Sequence, residues 1–307
     1  MTLKVSDIGE KELINYILSN CETITPDDTA ITSVADTNLI STCDMLIESK
    51  HFPENMSYFQ MGFKAVTVNV SDLAAMGASP LGFLLSIALP KDFEVENFKQ
   101  IFDGVLEACE YYNIHLIGGD TNEAGEIIIS GTALGLCSNP LMKNTSRKGD
   151  LIVLTGDVGL AALGFNLGND DNIYTKKALE PLAKINEGLN IKCAGGTSAT
   201  DITDGLASEL YEMKRKDIGF MIYEDKFNVS EEYKSLADKL NLNYLDLLLH
   251  VGEDFELVFT IAGENLSKLD FDYKVIGEVT DSKKVEITLS DSSVVEVSSR
   301  GYDHYVS

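Results

Sequence analysis

Predicted β-strands in this chain often follow one another directly, with no helix between them. One such pair is expected over residues 29–36 and 39–46, and a second over residues 114–117 and 126–136. Neighbouring parallel strands need a long crossover, usually a helix, whereas directly joined strands pair antiparallel. The pattern therefore argues against a regular doubly wound sheet and predicts an α+β fold.

A polar loop over residues 138–149, with Asn-Pro and Lys-Gly turn signals, divides the predicted elements into two groups. Before it, apolar residues spaced by four and three positions predict a long helix over residues 57–76. After it, helices are expected over residues 158–167, 176–189, 204–214 and 230–239. We therefore expect an N-terminal α+β domain over residues 1–138 and a C-terminal α+β domain over residues 149–307.

The chain is strongly acidic, with 24 Lys and Arg against 49 Asp and Glu and a net charge of −25. Neither half is basic, which argues against a nucleic-acid surface and against a patch for anionic membranes. Hydrophobic residues make up 44% of the chain, so the acidity does not indicate disorder. An anionic ligand could still bind where metal ions lie between it and the carboxylates.

Five cysteines are scattered without a C-x-x-C spacing, which favours a reducing cytoplasm over a disulfide framework. The four histidines show no H-x-x-x-H spacing, so neither zinc nor haem binding is indicated. The longest apolar run, Leu81–Pro90, is about half as long as a membrane-spanning helix. Residues 1–20 lack the pattern of a signal peptide, and we expect a cytoplasmic protein.

Aspartates recur beside small residues at the ends of predicted elements. Taken singly, each has an ordinary explanation; Asp204, for example, precedes Gly205 where a helix N-cap is expected. Asp72 is different, because Asn69, Ser71 and Asp72 lie together inside an otherwise apolar helix. Since all three are poor helix formers, we expect them to have polar partners.

Several carboxylates in one cleft raise one another's pKa unless a cation compensates them. Oxygen-only ligands suit Mg²⁺ better than zinc. Asp120 adds to this pattern, because Gly118 and Gly119 before it allow close backbone approach to a ligand. No P-loop or kinase-type glycine loop is present. The residues alone therefore predict a Mg²⁺-dependent phosphoryl-transfer enzyme of a less common type.

Six segments resemble the motifs of the thiamine-monophosphate kinase family, and they occur in the family's order over nearly the whole chain. The family motifs read TTDMLVEGVHF, KALAVNLSDLAAMGA, LIGGDT, DLSDGL, GEDYEL and GYDHF. The matching segments are TCDMLIESKHF (42–52), KAVTVNVSDLAAMGA (64–78), LIGGDT (116–121), DITDGL (201–206), GEDFEL (252–257) and GYDHY (301–305).

This resemblance implies the fold of aminoimidazole-ribotide synthetase, in which N-terminal domains pair into a β-barrel across a homodimer. It implies that ATP and thiamine monophosphate react to give ADP and thiamine diphosphate, with several Mg²⁺ ions. The acceptor is itself a phosphate, mostly dianionic at neutral pH, and needs no general base. No nucleic-acid or membrane partner is expected.

The resemblance also implies site residues. The expected Mg²⁺ ligands are Asp28, Thr42, Cys43, Asp44, Asp72, Asp120, Asp201 and Asp204. The residues expected near ATP are Gly119, Asp120, Lys143 and Thr203. Those expected to contact thiamine monophosphate are His51, Glu253 and Tyr302, since an acid suits the thiazolium or the aminopyrimidine and an aromatic ring stacks on a flat cation.

Two of the departures from the family pattern concern expected ligands whose contact could change. Cys43 replaces a Thr, which is tolerable if the metal contact uses the backbone carbonyl and weakens one site if it uses the hydroxyl. Lys143 replaces an Arg that contacts ATP in the family, and lysine cannot bind phosphate bidentately. Arg147 is the nearby substitute.

Two alternatives stay open. One is another ATP-dependent synthetase of the same superfamily, but hydrogenase-maturation members would end in a reactive cysteine where this sequence has His304-Tyr305-Val306-Ser307. The other is a catalytically silent nucleotide-binding dimer. The complete set of acidic residues argues against a silent protein, which would have no reason to keep them.

Overall fold

Two β-sheets, one in each half of the chain, organise the fold. The computed structural model describes residues 4–21, 26–168, 172–299 and 301. The described helices are α1 (Gly9–Asn20), α2 (Glu48–His51), α3 (Tyr58–Ala75), α4 (Val95–Tyr111), α5 (Leu160–Leu167), α6 (Ile173–Leu179), α7 (Ile185–Ala194), α8 (Leu206–Met213), α9 (Glu231–Lys239) and α10 (Tyr244–His250). The described strands are β1 (Ala30–Val34), β2 (Thr37–Ile47), β3 (Ser79–Leu89), β4 (His115–Glu123), β5 (Ile128–Cys137), β6 (Leu151–Leu154), β7 (Gly196–Asp201), β8 (Gly219–Tyr223), β9 (Leu257–Ile261), β10 (Lys274–Thr280), β11 (Val285–Thr288) and β12 (Val294–Glu296).

The first sheet has five strands in the order β1-β2-β5-β3-β4. All neighbours pair antiparallel except β3 and β4, which are joined through α4 and pair parallel. Helices α3 and α4 cross closely because each has a glycine at the contact. A Cβ at Gly62 would lie 1.9 Å from the carbonyl oxygen of Ile101, and one at Gly104 would lie 2.0 Å from that of Phe59.

One face of the first sheet carries exposed apolar side chains. Met45, Leu81, Ile117 and Leu136 are 39–57% exposed, whereas residues on the opposite face pack into a buried core with α3 and α4. Within the described part of one chain, the sheet is open and does not close into a barrel. The expected α+β organisation is confirmed.

The second sheet has seven strands in the order β12-β11-β8-β10-β6-β9-β7. Among the described strands of this sheet, only β8 and β11 pair parallel. A helix predicted over residues 176–189 is wrong: α6 and α7 replace it, separated by a segment that contains Pro181. Proline lacks the N–H donor and clashes with the preceding turn, so a helix cannot run through this position unbroken.

Helix α3 also connects the two halves, and its predicted extent over residues 57–76 is confirmed. Ala74 and Ala75 share a buried core with side chains of α7 and the second sheet. Gly188 of α7 packs so closely that a Cβ there would lie 2.0 Å from the Ala74 carbonyl oxygen. Among the described residues, no helix is long and apolar enough to cross a lipid bilayer.

Candidate active site

A cavity of about 710 Å³ lies between the two halves of the chain. From the first half, β2, α2 and α3 contribute to its wall. From the second, the loops before α8 and after α10 contribute. Six of the residues predicted from the sequence line this cavity: Asp44, His51, Asp72, Thr203, Asp204 and Glu253. The fold therefore brings six of the fourteen predicted site residues to one cavity.

Three carboxylates form an acidic cluster. Oxygens of Asp28, Asp72 and Asp201 all lie within 4.8 Å of one another. Asp28 precedes β1, Asp72 lies in the last turns of α3, and Asp201 ends β7. The cluster thus uses both halves of the chain, and α3 brings them together.

Hydroxyl groups hold these carboxylates in place. Thr42 donates a hydrogen bond to Asp72, Ser71 donates one to Asp201, and Thr200 donates one to Asp28 at 3.0 Å. The second oxygen of Asp28, Oδ2, is buried and has no hydrogen-bond partner among the described residues. An orphaned carboxylate oxygen beside two further carboxylates fits a hard divalent cation such as Mg²⁺.

Burial and mutual repulsion disfavour ionisation at this site. Burial, with a smaller contribution from Asp201, raises the pKa of Asp44 to about 6. Burial raises the pKa of Asp28 to about 7 even though Lys143 opposes the rise. The pKa of Asp72 lies well above its ordinary value because of burial, then the charges of Asp44 and Asp201. A bound cation would remove this conflict.

The unusual polar residues of α3 have the partners that the sequence predicted. Asn69 accepts a hydrogen bond from the Asp44 backbone N–H at 3.1 Å and donates one to the Ala65 carbonyl at 3.0 Å. Ser71 and Asp72 belong to the acidic cluster, as described above. These contacts confirm that the polar residues inside α3 have polar partners.

Alternation along β2 separates Cys43 from the cluster. Thr42 is buried next to Asp72, whereas Cys43 is exposed, with its sulfur 3.6 Å from the Ser130 hydroxyl on the other face of the sheet. A metal contact at position 43 would therefore use the backbone carbonyl. The replacement of the family Thr by Cys leaves the cluster unchanged.

Asp120 is exposed on β4, at the edge of the first sheet. Three strand spacings separate β4 from β2, or roughly 14 Å, so one chain does not bring Asp120 to the acidic cluster. The glycine before it has a packing reason: a Cβ at Gly119 would lie 1.8 Å from the Leu85 carbonyl oxygen of β3. The close approach at Gly119 is thus to a neighbouring strand.

Lys143 lies at the acidic cluster. Its ammonium is 2.7 Å from Asp28 and 2.7 Å from Glu212. Burial lowers the pKa of Lys143, but Asp28 and nearby glutamates outweigh this effect and raise it above its ordinary value. Arg147, the alternative candidate, has an exposed side chain.

Some functional candidates were not visible in the sequence. Lys64 is fully buried below the cavity wall and pairs with Glu253. Glu209 is buried behind the cluster and accepts a hydrogen bond from the Asp204 backbone N–H at 3.2 Å. Tyr302 lies outside the described residues, but Gly301, which begins the same motif, lines the cavity.

Asp254, next to Glu253, gives a pH-dependent contribution to stability. Its buried carboxylate accepts hydrogen bonds from the backbone N–H groups of Gly159 (2.7 Å) and Ala161 (3.4 Å), and burial raises its pKa to about 7. The folded protein therefore keeps this proton at pH values where the unfolded chain has lost it. Stability contributed by this proton is lost as pH rises from about 4 to 7.

We expect Asp254→Asn to remove this pH dependence. Between pH 5 and pH 8, the unfolding free energy of the variant should rise relative to that of wild type by about 1–3 kcal/mol. Urea unfolding at both pH values measures it, with exposed Asp103→Asn as a control. Parallel pH profiles for wild type and Asp254→Asn would contradict the assignment.

The fold and site match a known family. The model of the AIR synthase related protein N-terminal domain matches residues 26–137, and that of the C-terminal domain matches residues 147–290. The chain therefore belongs to the AIR synthase related proteins.

Among relatives, the chain is 35% identical to the thiamine-monophosphate kinase of Pyrococcus horikoshii, over 94% of this chain and 93% of that protein. A structure of AaThiL complexed with AMPPCP and TMP superposes with a TM-score of 0.90 at 29% identity, covering 99% of both chains. The thiamine monophosphate kinase structure from Aquifex aeolicus gives a TM-score of 0.85 at 27% identity, over 95% of this chain and 99% of that one. Within the AIR synthase related proteins, the chain is a member of the thiamine-monophosphate kinase family.

Proposed function

We propose that this chain transfers the γ-phosphoryl group of ATP to thiamine monophosphate, giving ADP and thiamine diphosphate. The observation that carries the proposal is one cavity that has Asp72 of the acidic cluster in its wall together with Glu253 and His51. The relative in Pyrococcus horikoshii and the AaThiL complex with AMPPCP and TMP support the same reaction. We place it in the cytoplasm, since the five cysteines are free thiols.

Asp28, Asp72 and Asp201 would hold Mg²⁺, and Asp44 and Asp204, which line the same cavity as Asp72, are the candidates for further ligands. Mg²⁺ supplies positive charge that offsets the repulsion between two phosphorylated substrates. The protein's own contribution is to keep the carboxylates in place, through the hydroxyls of Thr42 and Ser71.

Proton transfer is not required from a side chain, because the accepting phosphate is already anionic at neutral pH. His51 is consistent with a reaction that needs no general base, because its Nδ1 already accepts a hydrogen bond from the Ile47 backbone N–H at 2.9 Å. Its role is to form part of the wall beside Glu253. Catalysis then rests on positioning and charge compensation.

The predicted role of Asp120 requires a second copy of the chain. Asp120 is exposed on edge strand β4, and the same sheet has an exposed apolar face with Met45, Ile117 and Leu136. An exposed apolar face of this kind is typical of an interface. We propose a homodimer formed through this face, in which Asp120 of one copy completes the site of the other.

Mixing two inactive variants tests this arrangement. Asp120→Asn and Asp72→Asn should each lose turnover alone. If they are refolded together as dimers, half of the dimers combine both variants, and one of the two sites in each is intact. We expect about a quarter of the wild-type activity. No recovery, with mixed dimers demonstrated by differently tagged copies, would place Asp120 in its own chain's site. Normal turnover by Asp120→Asn alone would place Asp120 outside any site.

The reaction itself is tested by ADP release with ATP and Mg²⁺, in the absence and presence of thiamine monophosphate. A kinase forms ADP only when the acceptor is present. ADP release that depends on a different acceptor would favour the synthetase alternative. No ADP release with any acceptor, from protein that binds ATP, would favour the silent dimer.

A further inference from the structure

Lys64 is a buried charge that the proposed reaction leaves without a role. Its side chain is 1% exposed, on the same face of α3 as Val68 and Asp72, which line the cavity one and two turns further on. Lysine is almost never buried to this extent unless it is paired. The stability of the helix alone does not explain why a lysine is buried at this position.

The ammonium of Lys64 connects the two halves of the chain at the cavity wall. It donates a hydrogen bond to the His51 carbonyl oxygen at 2.9 Å and contacts the Glu253 carboxylate. His51 belongs to α2 in the first half, and Glu253 follows α10 in the second. One buried side chain thus fixes two cavity-lining residues relative to each other.

Glu253 has a geometry that depends on such support. Its backbone φ is +67°, a conformation that residues other than glycine rarely adopt. Its N–H donates to the Thr203 carbonyl at 2.9 Å, and its side chain stays 30% exposed toward the cavity. The carboxylate is therefore held from behind by Lys64 and remains accessible from the front.

We propose that Lys64 is a positioning residue for recognition of thiamine monophosphate, an inference that rests on the proposed function. The pair of Lys64 and Glu253 has no net charge, so Glu253 acts as an oriented hydrogen-bond acceptor for an N–H group of the substrate. Along α3, Lys64 and Asp72 are eight residues apart, about 12 Å. The helix thus separates the end of the cavity that recognises the organic part of the substrate from the end that holds its phosphate.

A second glutamate that is paired with lysine provides a matched control. Glu256 is buried and accepts contacts from Lys177 at 2.9 Å and Lys184 at 3.2 Å. None of these three residues lines the cavity. Lys177→Met therefore removes one partner of a buried glutamate without touching the substrate wall.

The test compares Lys64→Met and Lys177→Met with wild type in steady-state kinetics. Methionine keeps most of the volume of lysine and removes its charge. For Lys64→Met we expect the KM for thiamine monophosphate to rise at least about tenfold, while the KM for ATP changes less than about twofold. Lys177→Met should leave both KM values near those of wild type. Equal changes in both KM values for Lys64→Met would overturn the proposal.

Glu253→Gln keeps the test possible if Lys64→Met does not fold, since Glu253 is partly exposed. Glu253→Gln should also raise the KM for thiamine monophosphate. The double variant should have a KM for thiamine monophosphate no higher than that of the single variant with the larger increase. Effects that multiply in the double variant would show that the two residues act independently. If wild type does not phosphorylate thiamine monophosphate, the proposed function fails as well; normal wild-type turnover without the selective KM change overturns only the role of Lys64.

Discussion

Asp72→Asn should abolish turnover while leaving the protein folded and at least as stable as wild type. Asp72 is buried beside Asp28 and Asp201, and its ionised form repels both. Asparagine keeps the shape and still accepts the hydrogen bond from Thr42, but it removes one negative charge from the cluster. We expect kcat to fall by about a thousandfold or more, because a lost ligand misplaces the cation that compensates phosphate charge.

Two measurements distinguish loss of chemistry from loss of fold. Thermal unfolding without divalent ions should show Asp72→Asn melting at or above the wild-type temperature, because a buried repulsion is relieved. With Mg²⁺ added, wild type should gain more stability than the variant. Asp103→Asn, an exposed acid on α4, serves as the control and should match wild type in both assays. Near-wild-type turnover by Asp72→Asn would mean that the acidic cluster is not the catalytic site.

Gly252→Ala should give the second-largest effect, through the loop that carries Glu253. A Cβ at position 252 would lie 1.6 Å from the Thr203 carbonyl oxygen, which also accepts the Glu253 N–H. A Cβ is fixed to its own backbone and the oxygen that it would meet is also backbone. One of the two loops must therefore move. We expect a loss of about 2–4 kcal/mol in unfolding free energy, together with a large rise in the KM for thiamine monophosphate.

Gly125→Ala is the matched control for this substitution. A Cβ at Gly125 meets no atom within 4 Å, and its φ lies outside the left-handed region. This variant should unfold within about 0.5 kcal/mol of wild type. If Gly252→Ala unfolded like Gly125→Ala and kept its KM, the packing of the two loops would not control the position of Glu253.

The sequence predicted α3 and its polar run because both are strong local patterns. A period of four and three positions marks a helix, and Asn69, Ser71 and Asp72 interrupt its apolar face. Strand β7 was not predicted, because its sequence GTSATD has no apolar alternation. This segment becomes a strand because it pairs with β9. Tertiary pairing of this kind has no local signal.

The site residues also divide into those with a signal in the sequence and those that depend on tertiary packing. Asp72 stood out because a carboxylate inside an apolar helix needs a partner, and the family resemblance added Asp28 and Asp201 as expected metal ligands. Lys64 did not stand out, because a lysine in a helix is ordinarily exposed. Its role depends on a contact with Glu253, 189 residues away in the chain, which only the packing of the two halves creates.

The most direct test of the central claim follows the phosphoryl group itself. Wild-type protein is incubated with Mg²⁺, thiamine monophosphate and ATP labelled in its γ-phosphate, and the products are separated by chromatography. A kinase acting in the cavity between the two halves predicts label in thiamine diphosphate, with one molecule formed for each ADP. Label that appears only in inorganic phosphate, with thiamine monophosphate unchanged, would contradict the account.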